Sequence, residues 1–140
     1  MFFTILFLSV FTIFNDLDKE IVSIEKNDLY NIVMITQAEA EGESELGKRL
    51  VIDTVLNRVD SADFPDNITD VIFEKNQFSG TGARWDKVSY DEKIEALVIE
   101  ELIKRTNSEV LYFRTKKYPK YETPLFKEGN HYFSGIKKEH

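Results

Sequence analysis

The chain has 140 residues, 42% of them hydrophobic and 13% aromatic, which suits one compact domain with a real core rather than a disordered tail. A formal net charge of -7 argues against a nucleic-acid binder, which needs a basic face for phosphates. No cysteine is present, so disulfides, thiolate catalysis and thiolate-held zinc are excluded, and two histidines, one of them the final His140, are too few for a histidine-built metal centre.

Residues 1–14, "MFFTILFLSVFTIF", carry no charge. The run falls short of the ~20 residues of a membrane span and fits the apolar stretch of a secretory signal. No Lys or Arg precedes it and no Ala-x-Ala site follows it. Export or membrane attachment through residues 1–14 therefore stands level with an N-terminal helix or strand packed on the domain. Asn15 to Asn27 is polar and charged and reads as a connector. The expected division is an apolar segment and connector over 1–25 and one folded domain over 26–136.

Asp28 can cap a helix in which Leu29, Ile32, Val33 and Thr36 share a face, and Gly42 is a natural end for it. A second helix is expected from Ser44 to Val59. Its apolar stripe is Leu46, Leu50, Val51, Val55 and Val59, with Lys48, Arg49 and Arg58 elsewhere on the wheel. "DSADFPDN" is a loop, and Thr69 or Asp70 opens a short helix through "DVIFEK". "NQFSGTGARW" has two glycines, little periodicity and the sole tryptophan, Trp85, and reads as a loop. Ser89 and Glu92 have capping-box spacing before a helix that buries Ile94, Leu97, Val98 and Leu102. "VLYF" (110–113) and "HYF" (131–133) read as short strands joined by a long loop containing Pro119 and Pro124. Helices first and a small β element last give an α+β fold, mainly helical.

The chemistry narrows by elimination. No G-x-S-x-G turn supports a serine triad, and "GTG" at 80–82 lacks the lysine of a phosphate loop. Carboxylates and aromatic rings remain, a combination suited to sugars: a carboxylic acid protonates a glycosidic oxygen, and a ring face stacks on a pyranose. In "TQAEAEGES" Glu39 is the best-placed acid. It closes a largely apolar helix, where partial burial would favour the protonated form a general acid needs. Glu41 and Glu43 lie nearer Gly42 and towards solvent. The plainer reading of all three is an acidic surface loop.

The blocks "AEAEGES", "VLNRV", "DFP", "NQFS", "LYF" and "GNHYF" occur in the order in which they occur in the spore-cortex-lytic cell wall hydrolase family (SleB/CwlJ type), and the chain resembles that family over about residues 28–134. The resemblance implies a lysozyme-like or lytic-transglycosylase-like catalytic domain that cuts peptidoglycan glycan strands between N-acetylmuramic acid and N-acetylglucosamine. It also implies that Glu39, the first glutamate of the A-E-A block, is the catalytic acid. The SleB branch carries Arg where this chain has Glu41, a departure that adds negative charge beside Glu39. No cofactor or metal is implied. The setting the resemblance implies is extracytoplasmic, on the wall, for a bacterial enzyme or a phage lysin.

In the single-glutamate mechanism Glu39 both gives and reclaims the proton. A hydrolytic version would add a second carboxylate about 5 to 9.5 Å away, for which Glu43 is the nearest candidate. Gln77, Phe78 and Ser79 of the Q-F-S turn, Tyr112 on the strand, and Asn130 and His131 are the expected substrate contacts or braces. Each has a plainer counterpart: a self-capped turn, a core tyrosine, a buried and satisfied histidine. Asn57 reaches either the cleft or its own helix end, and Trp85 either stacks on a sugar or pins its loop. "RTKKYPKY" is a solvated basic loop or a contact for acidic wall polymers. Two other functions compete: an amidase between muramic acid and stem peptide, weakened by missing metal ligands, and a non-catalytic wall-binding or phage structural module.

Overall fold

The computed structural model describes residues 10–14 and 21–137; what the sequence suggests for residues 1–9 and for His140 lies outside them. Strand β1 (Val10–Phe14) pairs antiparallel with β2 (Ile21–Glu25), Thr12 opposite Ser23. Part of the suggested connector is therefore strand. Four helices follow: α1 (Lys26–Ala40), α2 (Glu45–Asp60), α3 (Ile68–Phe73) and α4 (Glu92–Ile103). Two 3-10 turns, Ser79–Thr81 and Trp85–Lys87, lie between α3 and α4. The chain ends in β3 (Tyr112–Arg114), β4 (Glu122–Glu128) and β5 (His131–Lys137), an antiparallel sheet of order β3-β5-β4. No helix among the described residues is long and apolar enough to cross a membrane.

α1 is the axis of the molecule. Residues 32 to 38 are buried without interruption, so the helix is enclosed on every side rather than along one stripe. Thr36 lies inside this shell by returning its hydroxyl to the Ile32 carbonyl at 2.7 Å. The helix starts at Lys26, and Asp28 does not cap it. The Asp28 carboxylate instead accepts the Thr69 backbone N–H at 3.0 Å and the Thr69 hydroxyl, tying α1 to α3. The end comes at Ala40, before Gly42, with the Glu41 N–H returned to the Gln37 carbonyl. The α2 cap is Ser44, whose hydroxyl accepts the Gly47 N–H at 3.0 Å. α4 is capped by Asp91 rather than Ser89.

β4 is strand where the sequence suggests a loop. Pro124 sits in it because β4 is an edge strand and its register against β5 shifts on either side of the proline. Phe113, Phe133 and Phe126 line up across the three strands as register partners and meet the helical core.

A buried acid pair joins α2 to α4. Asp53 is fully buried and Glu101 nearly so. Asp53 Oδ2 accepts the Asn107 N–H at 2.8 Å, while no donor meets Oδ1. Glu101 accepts Arg49 Nη1 at 2.9 Å and the Thr106 N–H at 2.6 Å. Burial and then the neighbouring Glu101 push the Asp53 carboxyl up to about 8. Burial also opposes ionisation of Glu101, but hydrogen bonds from Asp53, Thr106 and Arg49 hold it below its ordinary value. One proton on Asp53, donated to ionised Glu101, satisfies both groups.

An acid raised on folding takes up a proton as the chain folds. Its contribution is complete below the ordinary carboxylate range and is lost as pH rises through about 8. Asp53→Asn keeps a donor for Glu101 and an acceptor for Asn107 without titrating. Melting temperatures at pH 6 and pH 9 should therefore fall less in Asp53→Asn than in the wild type; parallel curves would refute the shared proton.

Candidate active site

The last turn of α1 delivers Glu39, half-buried, to the turn that follows α3. Gly80 donates its backbone N–H to Glu39 Oε1 at 2.6 Å, and the Ser79 hydroxyl lies 3.3 Å from each carboxylate oxygen. The approach is close enough to require glycine. A Cβ on Gly80 would stand 2.7 Å from Ala38 Cβ and 3.0 Å from Glu39 Oε1.

Glu43 belongs to the other wall. Its side chain is 9% exposed and faces the β4–β5 turn. Oε1 accepts the Asn130 N–H at 2.8 Å, Oε2 accepts Asn130 Nδ2 at 3.3 Å, and His131 Nδ1 lies 3.6 Å from Oε1. Gly129, at φ 55, lets the turn pass so close that a Cβ there would meet Glu43 Oε2 at 2.9 Å. Beside it, Ser44 donates to Glu128 Oε1 at 2.9 Å. The α1–α2 junction and the hairpin are thus bolted together next to Glu39. His131 is 4% exposed, between the Phe113 and Phe133 rings at 4.8 and 5.9 Å. Burial pushes its imidazole below its ordinary value against the pull of Glu43 and Glu39, so it is neutral at neutral pH.

The Q-F-S turn is held from beneath by Arg58, 1% exposed. Its guanidinium carbon lies 5.0, 4.8 and 5.3 Å from the ring centroids of Phe64, Phe78 and Tyr112. Nε donates to the Leu111 carbonyl at 2.7 Å and Nη1 to Gln77 Oε1 at 3.2 Å. Burial lowers its pKa to about 10, which still leaves a cation. This overturns the placement of Arg58 off the buried stripe: spacings of three from Val55 and seven from Val51 put it on that stripe. An arginine in register with apolar positions was the available signal. Its neighbour Asn57 donates Nδ2 to the carbonyls of Asn107 and Val110, both at 2.9 Å. It braces the loop before β3.

Glu39, Ser79, Glu43, Asn130 and His131 are thus gathered around the end of α1. Gln77 and Tyr112 stand on the far side of Phe78, in an open groove of about 1120 Å³ whose lining excludes Glu39. Tyr112 and Phe113 face opposite ways, towards Phe64 and towards Phe78 and His131 respectively. Trp85 packs on Phe73 at 5.3 Å and pins its loop. The basic loop is also pinned, Tyr118 meeting Tyr132 edge-on at 5.0 Å. Glu41 is exposed and paired with Arg84 at 3.1 Å. Among the described residues no three His, Asp or Glu side chains group as a metal site.

With this geometry in hand, the chain compares with known proteins as follows. A model of the family described as Cell Wall Hydrolase matches residues 42–134, starting just after Glu39. The spore cortex-lytic enzyme of Halalkalibacterium halodurans is 33% identical over 76 residues, 54% of this chain and 23% of that protein. The chain therefore spans about a quarter of that relative's length. The crystal structure of the catalytic domain of the Bacillus cereus SleB protein superposes with a TM-score of 0.70 at 26% identity, over 79% of this chain and 91% of that one. The catalytic domain of the germination-specific lytic transglycosylase SleB from Bacillus anthracis gives 0.67 at 25% identity, over 79% and 96%.

The contact of α1 with the turn is open to a direct check. Gly80→Ala should lose about 1 to 3 kcal/mol in denaturant unfolding because a methyl has no room. Gly82→Ala, whose Cβ would meet nothing nearer than 3.6 Å, should change by less than about 0.5 kcal/mol. Equal losses would show that the approach at Gly80 is not the constraint.

Proposed function

The chain belongs to the cell wall hydrolase family, and from that premise we propose that it cuts peptidoglycan glycan strands between N-acetylmuramic acid and N-acetylglucosamine as a lytic transglycosylase, with Glu39 as its catalytic residue. The observation that carries this reading is the Glu39 carboxyl, fixed at the end of a buried helix by the Gly80 N–H and the Ser79 hydroxyl. A side chain held this way spends little entropy in reaching a reactive pose.

Glu39 gives its proton to the oxygen linking muramic C1 to the next sugar, and the C1–O bond breaks with oxocarbenium character. The resulting carboxylate takes the proton of the muramic C6 hydroxyl as that oxygen bonds to C1. The products are a 1,6-anhydro end and a free 4-hydroxyl on the leaving sugar, and the enzyme regains its starting protonation. No water enters. The engagement of the Glu43 carboxylate by Asn130 supports this over hydrolysis, since a carboxylate already holding a turn is poorly placed to activate water. The description of the Bacillus anthracis relative as a lytic transglycosylase supports it too. Ser79, Asn130 and the neutral His131 frame the reacting sugars from either wall, Gln77 and Tyr112 belong to the flank of the binding surface, and Phe78, buried against Arg58 and Phe113, supports the turn from within rather than touching substrate. The site of action is the wall, outside the cytoplasmic membrane, and membrane association through residues 1–14 would compete with the pairing of Val10–Phe14 with β2.

Glu39→Gln should lower turnover of purified peptidoglycan by about 10³-fold while melting like the wild type. Mass analysis of the wild-type digest should show anhydromuramic ends. Reducing ends would replace transglycosylation by hydrolysis, and free stem peptides would overturn the glycosidic reading in favour of an amidase.

A further inference from the structure

A groove of about 1120 Å³ lies beside the site, and its lining does not include Glu39. It opens between the end of α2, the loop after α4 and the three-stranded sheet. Its apolar surface includes Phe64, Tyr112, Leu125 and Ile136, and Tyr112 and Phe64 are held rigid by the Arg58 guanidinium. Asp63, Glu74 and Glu109 line it from three different segments, and none of these carboxylates is taken up by a cation among the described residues. Asp60, by contrast, is held by Arg105 at 3.1 Å. Lys137 stands on the sheet side, 5.6 Å from the Tyr112 ring. Gln77 is the hinge between the two regions: it lines the groove, and two residues on, Ser79 touches Glu39. In extended chain that separation is about 7 Å.

We propose that this groove is a peptide subsite, taking the amine-bearing end of the stem peptide carried by a muramic acid beside the scissile bond. This rests on the reading of Glu39 given above. The ligand class follows from the lining. An alkylammonium is attracted by Asp63, Glu74 and Glu109, its methylenes lie on Tyr112 and Leu125, and Lys137 meets a peptide carboxylate. All three carboxylates are exposed, so a neutral glycan gains nothing from them, an ammonium gains their attraction, and a polyanion is repelled.

The test compares intact peptidoglycan with the same material after its free amines have been acetylated. For the wild type, KM should rise about tenfold on acetylation with kcat little changed, as expected when binding away from the reacting bond is lost. In Asp63→Asn/Glu74→Gln, checked for folding by its melting temperature, the ratio of the two KM values should fall to about one. A wild-type ratio near one, or a tenfold ratio that survives in the double variant, would overturn the proposal. If neither substrate is cut at all, the reading of Glu39 fails instead. The groove is then judged by calorimetric titration with the tripeptide L-Ala-γ-D-Glu-L-Lys: binding that weakens about tenfold in the double variant supports it, and no binding refutes it.

Discussion

A guanidinium removed from water must find acceptors or aromatic faces to replace its hydration, and Arg58 finds both inside this domain. Three elements distant in sequence supply them: Phe64 after α2, Gln77 and Phe78 in the turn after α3, and Leu111 and Tyr112 entering β3. Because the cation is buried, none of these can drift without exposing it to an unsatisfied environment. The placement of the Q-F-S turn is therefore a by-product of solvating one arginine. Ser79 and Gly80, the next residues, inherit that placement and pass it to Glu39. A weak turn with little core of its own becomes a fixed wall.

The opposite wall is fixed by a different device. Glu43 accepts from the backbone and side chain of Asn130, and Gly129 makes room for it. One acidic side chain thus replaces the hydrophobic packing that a two-stranded turn lacks. Glu39 and Glu43 are four residues apart and both carboxylates, yet one is bound by a hydroxyl and a single N–H and the other is committed to a hairpin. The difference comes from what each faces, not from residue type.

The sequence discloses the helices well because their apolar positions recur with helical spacing, and Leu50, Val51, Val55, Ile94 and Val98 are indeed core. α1 is less legible. A helix buried on every side has no polar face to reveal its period, so its single-face reading describes only part of it. β4 is hidden by Pro124, which argues against a strand unless the strand lies at an edge. At the site, the acid and the Q-F-S turn are visible as motifs, but their contact is not. Nothing in the local pattern says that residues 39 and 80 meet, and Gly80 resembles any loop glycine until a Cβ is placed on it. Arg58 and the Asp53–Glu101 pair are hidden for a common reason: charged residues are usually assigned to water, and these gain their partners only from distant segments.

The ragged edge at β4 has a bearing beyond its own strand. A row of unpaired amides and carbonyls invites another chain to continue the sheet, a hazard for any protein at high local concentration. Pro124 has no N–H to offer, the two register shifts break the regular spacing of β4, and at the opposite margin β3 offers only three residues. Both flanks are thereby poor templates for a neighbour's strand, so the small sheet can serve as a brace for the hairpin without becoming a seed for fibrils.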